Sequence, residues 1–359
     1  MTQTLRYGII GTGAMGLEHI GNIEHLEDAE VVAIADTDAG SLQSGAKAAG
    51  GEAAVFADHT ALLAAGGMDC VVVATPNHTH HDVLLDCISA GVPILVEKPL
   101  CTTVHDCRVV SAAAARADAF VWMGLEYRYM PPIARVIQEV GAGSVGDVKM
   151  IAIREHRYPF LDKVGDWNKF RANTGGTLVE KCCHFFDLMN LIAGARPVRV
   201  MATGAQDVNF VGATYRGRVC DIIDNAYVLV DYDNGVRAML DLCMFAEGSR
   251  NERELVVTGD IGKLEGFDND HLVRIGRRTD GHVQEVVVRD DRVRSGGQHH
   301  GSSYLEHLAL AEALRSGAPP AVTLEDGLWS VAVGEAAHRS IDEGRVVAIA
   351  EVFPEAVAG

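Results

Sequence analysis

Residues Gly11-Thr12-Gly13-Ala14-Met15-Gly16 form a Gly-x-Gly-x-x-Gly turn. It follows an apolar run, Arg6–Gly11, and opens a helical pattern from Thr12 to about Glu27. That context restricts the fold more than the glycines alone. Gly11 permits a tight turn, Gly13 lets the backbone approach a pyrophosphate, and Gly16 lets the helix pack on the strand it leaves. Backbone N–H groups at the helix start, around Ala14 and Met15, face such a phosphate with a partial positive charge. A second apolar run, Val31–Asp36, ends on an acidic residue 20 positions after Gly16. Asp36 suits the ribose hydroxyls of a dinucleotide and repels a 2′-phosphate, and neither Thr37 nor Asp38 supplies a compensating base. The expected cofactor is NAD.

The first third continues this grammar. Further apolar runs, Asp69–Thr75, Val92–Glu97 and Phe120–Gly124, alternate with the helical stretches Ala39–Ala49, His80–Ala90 and Val104–Ala117. Strands alternating with helices predict βαβ units and a parallel sheet covered on both faces. After about Met130 the strands follow one another without helices. They are Val148–Arg154, Val198–Ala205, Ala226–Asp231, Val236–Leu242, Glu254–Thr258, His271–Arg277 and Val283–Val288. Asp233-Asn234-Gly235 is a hairpin signal between two of them. A mostly antiparallel sheet is predicted, with helices at about Thr177–Ala193, Ser302–Ser316 and Leu324–Glu343. Thr323 and Asp326 form a capping box for the last. The fold class is α/β, with domains over 1–128 and 129–359.

The 359 residues carry 31 Lys and Arg against 49 Asp and Glu, a formal charge of −18. Such a balance argues against a nucleic-acid partner. No apolar window is long enough for a membrane span, and no signal peptide is expected from the pattern that leads into the first strand. Eight cysteines match no zinc spacing, and reduced thiols in the cytoplasm fit the chain. No metal is expected.

Three further segments carry a family resemblance: Ala74-Thr75-Pro76-Asn77-His78, Glu97-Lys98-Pro99, and Gly175 through Asp187 (GGTLVEKCCHFFD). With the glycine turn and Gly124–Pro131, they resemble the Gfo/Idh/MocA family of NAD(P)-dependent oxidoreductases. The resemblance implies an N-terminal Rossmann domain with a doubly wound parallel sheet. It also implies a C-terminal α/β domain whose large open sheet packs in a homodimer or homotetramer. Thr75, Asn77 and His78 would line the cofactor, Glu97 would lie beside it, Lys98 would be the catalytic lysine, and Arg128 would sit near the nicotinamide.

Oxidation of a secondary alcohol needs a base for the hydroxyl proton and a group that stabilises the alkoxide. Lys98 fits either role. Glu180, His184 and Asp187 are spaced i, i+4, i+7 and are expected on one helix face, with His184 as acid–base group, Glu180 on a substrate hydroxyl and Asp187 orienting the imidazole. Glu180 stands where the family usually has aspartate, and Lys181 where it has a small or apolar residue. Lys181 lies either at the pocket edge or in solvent.

Residues 149–181 hold seven basic and four acidic residues, a local balance of +3. Arg154, Arg157, Lys169, Arg171 and Lys181, with Tyr158 and Trp167, read either as a pocket for an anionic sugar or as a loop with ion pairs. Three functions compete. The first is a sugar or cyclitol dehydrogenase. The second is an NAD-dependent glycosidase of the sulfoquinovosidase kind, with Tyr127 or Tyr158 as its extra acid–base group. The third is an NAD-binding regulator without turnover.

Overall fold

The computed structural model describes residues 4–354, so the outer limits of the expected domains, 1–3 and 355–359, lie outside the described residues. Two compact units are present. The first comprises residues up to Glu126 together with Lys163–Trp167 and Arg292–Leu328, and the second takes the remainder.

The first unit holds six strands: β1 (Leu5–Ile10), β2 (Ala29–Ala35), β3 (Ala54–Phe56), β4 (Cys70–Val73), β5 (Ile94–Glu97) and β6 (Val121–Gly124). All pair in parallel, in the order β3-β2-β1-β4-β5-β6. β4 and β5 are buried at every position, as a doubly covered sheet requires. The strand order reverses between β1 and β4, which opens a crevice at their carboxyl ends, where this architecture takes ligands. β3, a short edge strand, was not expected. Helix Ser302–Ser316 returns to this unit. Its Tyr304 hydroxyl donates to the His25 carbonyl at 3.2 Å, and its Glu306 accepts from Trp122 Nε1 at 3.2 Å.

The second unit is built on β7 (Val148–His156), β8 (Pro197–Ala205), a small ribbon of β9 (Thr214–Tyr215) and β10 (Arg218–Val219), β11 (Asn225–Tyr232), β12 (Arg237–Cys243), β13 (Arg253–Gly259), β14 (Gly262–Phe267), β15 (Leu272–Arg277), β16 (Val283–Val287) and β17 (Val347–Ala348). Nine of them form one open sheet in the order β16-β15-β14-β13-β7-β12-β11-β8-β17. Only β7 and β12 run parallel within it, and the other neighbours are antiparallel. The β11–β12 hairpin turns at Gly235, whose φ of +85° favours glycine. Thr323 and Asp326 cap the final helix reciprocally, at 2.8 and 3.2 Å. No helix among the described residues is long and apolar enough to cross a membrane.

Alternation gives the sheet one buried and one open face. Val228, Val230, Leu240 and Leu242 point inward, whereas Met201, Tyr227, Leu229 and Met239 are exposed. Leu229 lies opposite both Met201 and Met239, so these apolar side chains form a row across three strands.

Leu240 sits at the centre of this sheet and is fully buried. Leu240→Ala is expected to destabilise the protein by about 2–5 kcal/mol through lost contacts and a residual cavity. Urea unfolding followed by tryptophan fluorescence checks this, and an unshifted midpoint would contradict the packing described.

Candidate active site

The glycine turn takes the form its spacing implies. Gly11 has φ +92°, and a Cβ there would stand 2.6 Å from the Ala74 carbonyl oxygen. A Cβ on Gly16 would stand 2.0 Å from the Gly11 oxygen, so helix Ala14–Glu24 can leave the strand at this angle only with glycine. Around Gly13 a Cβ would meet nothing within 4 Å. The helix start has no side-chain cap and no acid in its first turn. Its N–H groups are therefore open to an anion. Asp36 lies just after β2 and accepts the Thr12 N–H at 2.7 Å and the Asp38 N–H at 2.8 Å, which ties its carboxylate to the turn.

The loops after β4 and β5 adjoin the glycine turn within the first unit. The His80 ring bridges the carbonyls of Thr75 (3.0 Å) and Pro99 (2.8 Å), joining the two loops. Asn77 is buried, and its Nδ2 has no protein partner. His78, exposed, stands with its ring 6.3 Å from that of Trp167. Trp167, expected among substrate groups of the second domain, thus clusters with the nucleotide unit. An open cradle at Gly13, an uncapped helix start, an acceptor at Asp36 and an orphaned amide at Asn77 together fit a dinucleotide. Glu97 is buried and Lys98, which follows it, is half-buried. Burial works against ionisation of Glu97, but a hydrogen bond from His19 (2.9 Å), with the charge of Lys98, outweighs it and holds the carboxyl below its ordinary range.

In the second unit the expected helix Thr177–Ala193 is interrupted. One turn, Thr177–Glu180, is followed by Lys181 and Cys182 outside regular helix, and Cys183–Ala193 resumes. The i, i+4 relation of Glu180 and His184 therefore spans a break. At that break Lys181 turns inward, which overturns its reading as a solvated charge. It is 6 % exposed, with Nζ 3.1 Å from Glu155 and 2.8 Å from the Tyr127 hydroxyl. Arg253 Nη1 donates to the same hydroxyl at 3.3 Å and its Nη2 to Asp268 at 2.7 Å. The Tyr127 ring stacks on His184, with centroids 3.9 Å apart and planes 6° from parallel. Asp187 holds Arg128 through both oxygens, at 2.7 and 2.5 Å. Tyr127, Glu180, His184 and Asp187 are all buried.

Each of the five basic residues singled out in this segment has a carboxylate partner, in or beyond the segment. Arg154 pairs with Asp241 (3.1 Å), Arg157 with Glu155 (3.6 Å), Lys169 with Asp162 (3.0 Å), Arg171 with Asp342 (2.7 Å) and Lys181 with Glu155 (3.1 Å). Lys169 is also buried beneath Phe210, 3.9 Å from the ring centroid. Tyr158 is exposed, with the Arg157 guanidinium over its ring at 4.3 Å.

Sequence reasoning missed Glu155 and Arg253. The signal was present. Glu155 shares the inward phase of β7 with Ile151 and Ile153, and Arg253 that of β13 with Leu255 and Val257. A charge on a buried phase demands a partner. His338 was also missed. Its Nε2 accepts the Leu178 N–H at 3.0 Å, and a Cβ on Gly176 (φ +92°) would lie 2.3 Å from that nitrogen.

Two family models match the chain. An oxidoreductase family with an NAD-binding Rossmann fold covers residues 5–125, and the C-terminal α/β domain of the same family covers 137–349. The chain is 28% identical to inositol 2-dehydrogenase 1 of Saccharopolyspora erythraea, over 97% of each chain. It is 27% identical to myo-inositol 2-dehydrogenase of Thermotoga maritima, over 97% of this chain and 100% of that one. A crystal structure of an oxidoreductase from Agrobacterium radiobacter with NAD+, L-tartaric acid and magnesium superposes with a TM-score of 0.81. It covers 97% of this chain and 99% of that one at 20% identity, a likeness of fold alone.

His338 carries a pH prediction. Burial, reinforced by the Arg171 charge, holds its imidazole down at about 3. The unfolded chain binds a proton here below about 6.5, and the folded chain does not until about 3. The stability His338 contributes is therefore complete above about pH 6.5 and is lost as pH falls toward 3. In calorimetry, the melting temperature is expected to decline more steeply between pH 7 and 4 in the native protein than in His338→Gln. Equal slopes would exclude this role.

Proposed function

We propose, on the premise that the chain belongs to the Gfo/Idh/MocA oxidoreductase family, that this NAD-dependent enzyme oxidises a ring secondary hydroxyl of a neutral cyclitol or sugar. The observation that carries the reading is similarity along almost the full chain to two inositol 2-dehydrogenases. NAD, when bound, supplies the hydride acceptor. Lys98, at the carboxyl end of β5, binds the reacting oxygen and takes or stabilises its proton. His184 serves as the acid–base group of the second unit, with its ring plane fixed by Tyr127. Glu180 accepts from a substrate hydroxyl. Asp36 accepts from the adenosine ribose and disfavours a 2′-phosphate.

The pairing of Arg154, Arg157, Lys169, Arg171 and Lys181 with carboxylates favours a neutral polyol over an anionic sugar. An anion would have to displace an existing partner from each. A panel of inositols, aldoses and glycosides, with NADH followed at 340 nm, tests the reading. Net NADH on a ring polyol is expected. Lys98→Met should lower kcat by about 10²–10⁴-fold and His184→Asn by at least about 10²-fold. Release of an aglycone without net NADH would replace the dehydrogenase with a redox-neutral glycosidase.

The open face of the nine-stranded sheet supports a homo-oligomer. Met201, Leu229 and Met239 are 56%, 51% and 38% exposed in one row, an apolar surface of the kind subunit contacts cover. Light scattering of the native protein should give a multiple of the chain mass, and Leu229→Glu with Met201→Glu should lower it. A native monomer would defeat the reading.

A further inference from the structure

Beneath the glycine turn, three titratable side chains of the first unit form a continuous buried line. His19, on helix Ala14–Glu24, has Nε2 2.9 Å from Glu97 Oε1 and Nδ1 2.8 Å from Nε2 of His307, on helix Ser302–Ser316. His19, Glu97 and His307 are 1%, 5% and 0% exposed. Glu97 also accepts the backbone N–H of Lys98 at 3.2 Å. The reaction proposed above uses Lys98 and assigns nothing to either histidine.

The direction of the protons follows from the last nitrogen in the line. His307 Nδ1 is buried and has no hydrogen-bond partner in the protein. Tyr7 packs against that ring edge-on, with centroids 6.0 Å apart. A proton on Nδ1 would be a buried donor with its bond unmade, which costs more than a bare lone pair. The proton therefore sits on His307 Nε2 and is donated to His19 Nδ1. That leaves His19 one proton, on Nε2, directed at Glu97. His19 is then neutral, so it orients the Glu97 carboxylate without cancelling its charge. Burial pushes His307 well below its ordinary value, in keeping with a neutral ring at the end of the line.

The other ionisable groups around the line are accounted for. Glu18, on the same helix as His19, pairs with His299 Nδ1 at 3.0 Å, and Glu126 lies 3.6 Å from His299 Nε2. Glu306, beside His307, accepts from Trp122. Lys98 faces Glu97 from the next position in the chain.

We propose that His307 fixes His19 as its neutral Nε2–H tautomer, so that His19 holds Glu97 both oriented and charged beside Lys98. Both histidines are positioning residues for the hydride-transfer site. This rests on the reading of Glu97 and Lys98 as part of that site.

Two measurements test it. In ¹⁵N-histidine spectra of the native protein at pH 7, with and without NAD+, the His19 resonances, identified by their loss in His19→Gln, should show a neutral ring protonated on Nε2. In kinetics, His307→Leu removes the donor and frees His19 Nδ1 to take a second proton. A histidine with a pKa at or above about 6.5 is at least about nine-tenths protonated at pH 5.5. The kcat/KM of His307→Leu should therefore fall about tenfold or more beyond any native change between pH 8 and 5.5. His307→Gln, whose amide N–H replaces the lost donor, should restore the native profile. A merely structural role would lower activity or melting temperature without a new ionisation. An imidazolium or Nδ1–H ring at His19, or a His307→Leu profile that superimposes on the native one after scaling, overturns the proposal. Absence of turnover on every ring polyol would overturn the proposed function instead, and the spectra would still decide the tautomer.

Discussion

The first unit depends on how closely its first helix can approach its first strand. A methyl group at position 16 would stand 2.0 Å from the Gly11 carbonyl oxygen. With glycine the helix starts at once, and its unsatisfied N–H groups lie at the carboxyl end of β1, beside the point where strand order reverses. The same trajectory carries His19, three residues past Gly16, to the carboxylate at the end of β5. The open helix start and the position of the carboxylate beside Lys98 thus share one geometric cause. Neither would survive a helix pushed outward by a side chain.

The second unit is organised around charge placed where a sheet ordinarily buries hydrocarbon. Glu155 and Arg253 are direct cross-strand partners on β7 and β13, and Lys181, Arg157, Glu252 and Asp268 gather around them. Burying ions is costly, and replacing such pairs by apolar residues often stabilises a protein. What the cluster supplies is orientation. Lys181 and Arg253 hold the Tyr127 hydroxyl from two directions, and the Tyr127 ring carries the His184 imidazole on its face. The His184 ring, the proposed acid–base group, is therefore aimed by rigid sheet residues rather than by its helix, which is broken one turn earlier.

Much of this was readable in the sequence because local chemistry wrote it there. Gly11, Gly13, Gly16 and Asp36 specify a turn and its ligand by spacing alone, and fully buried parallel strands appear as unbroken apolar runs. Seven of the nine strands of the large sheet were found from their alternation. What failed was of several kinds: β14, an interior strand, carries glycines at Gly262 and Gly266 that blunt its alternation, and other misses were short, edge-placed or long-range. β3 carries exposed Ala54 and Val55 and so has no pattern to detect. Helix Pro131–Gly141 was not anticipated, although its two prolines suit a first helical turn. The basic segment misled because composition counts charges without their partners. Asp241 and Asp342, which answer Arg154 and Arg171, lie 87 and 171 residues away. His19 paired to His307 across 288 residues was beyond any local signal.

The discontinuity of the first unit bears on how the protein is made. Its sheet is complete in sequence by Gly124, yet the helix that caps it, Ser302–Ser316, emerges from the ribosome only after the whole nine-stranded sheet except β17. At about 5–20 residues per second, the nascent nucleotide domain waits roughly 10–40 s for that helix. During that time His19 and the apolar face that receives Tyr304 and Leu305 lack their native cover. An apparently self-sufficient Rossmann domain is thus committed to its final form last, by a segment synthesised after nearly all of its companion.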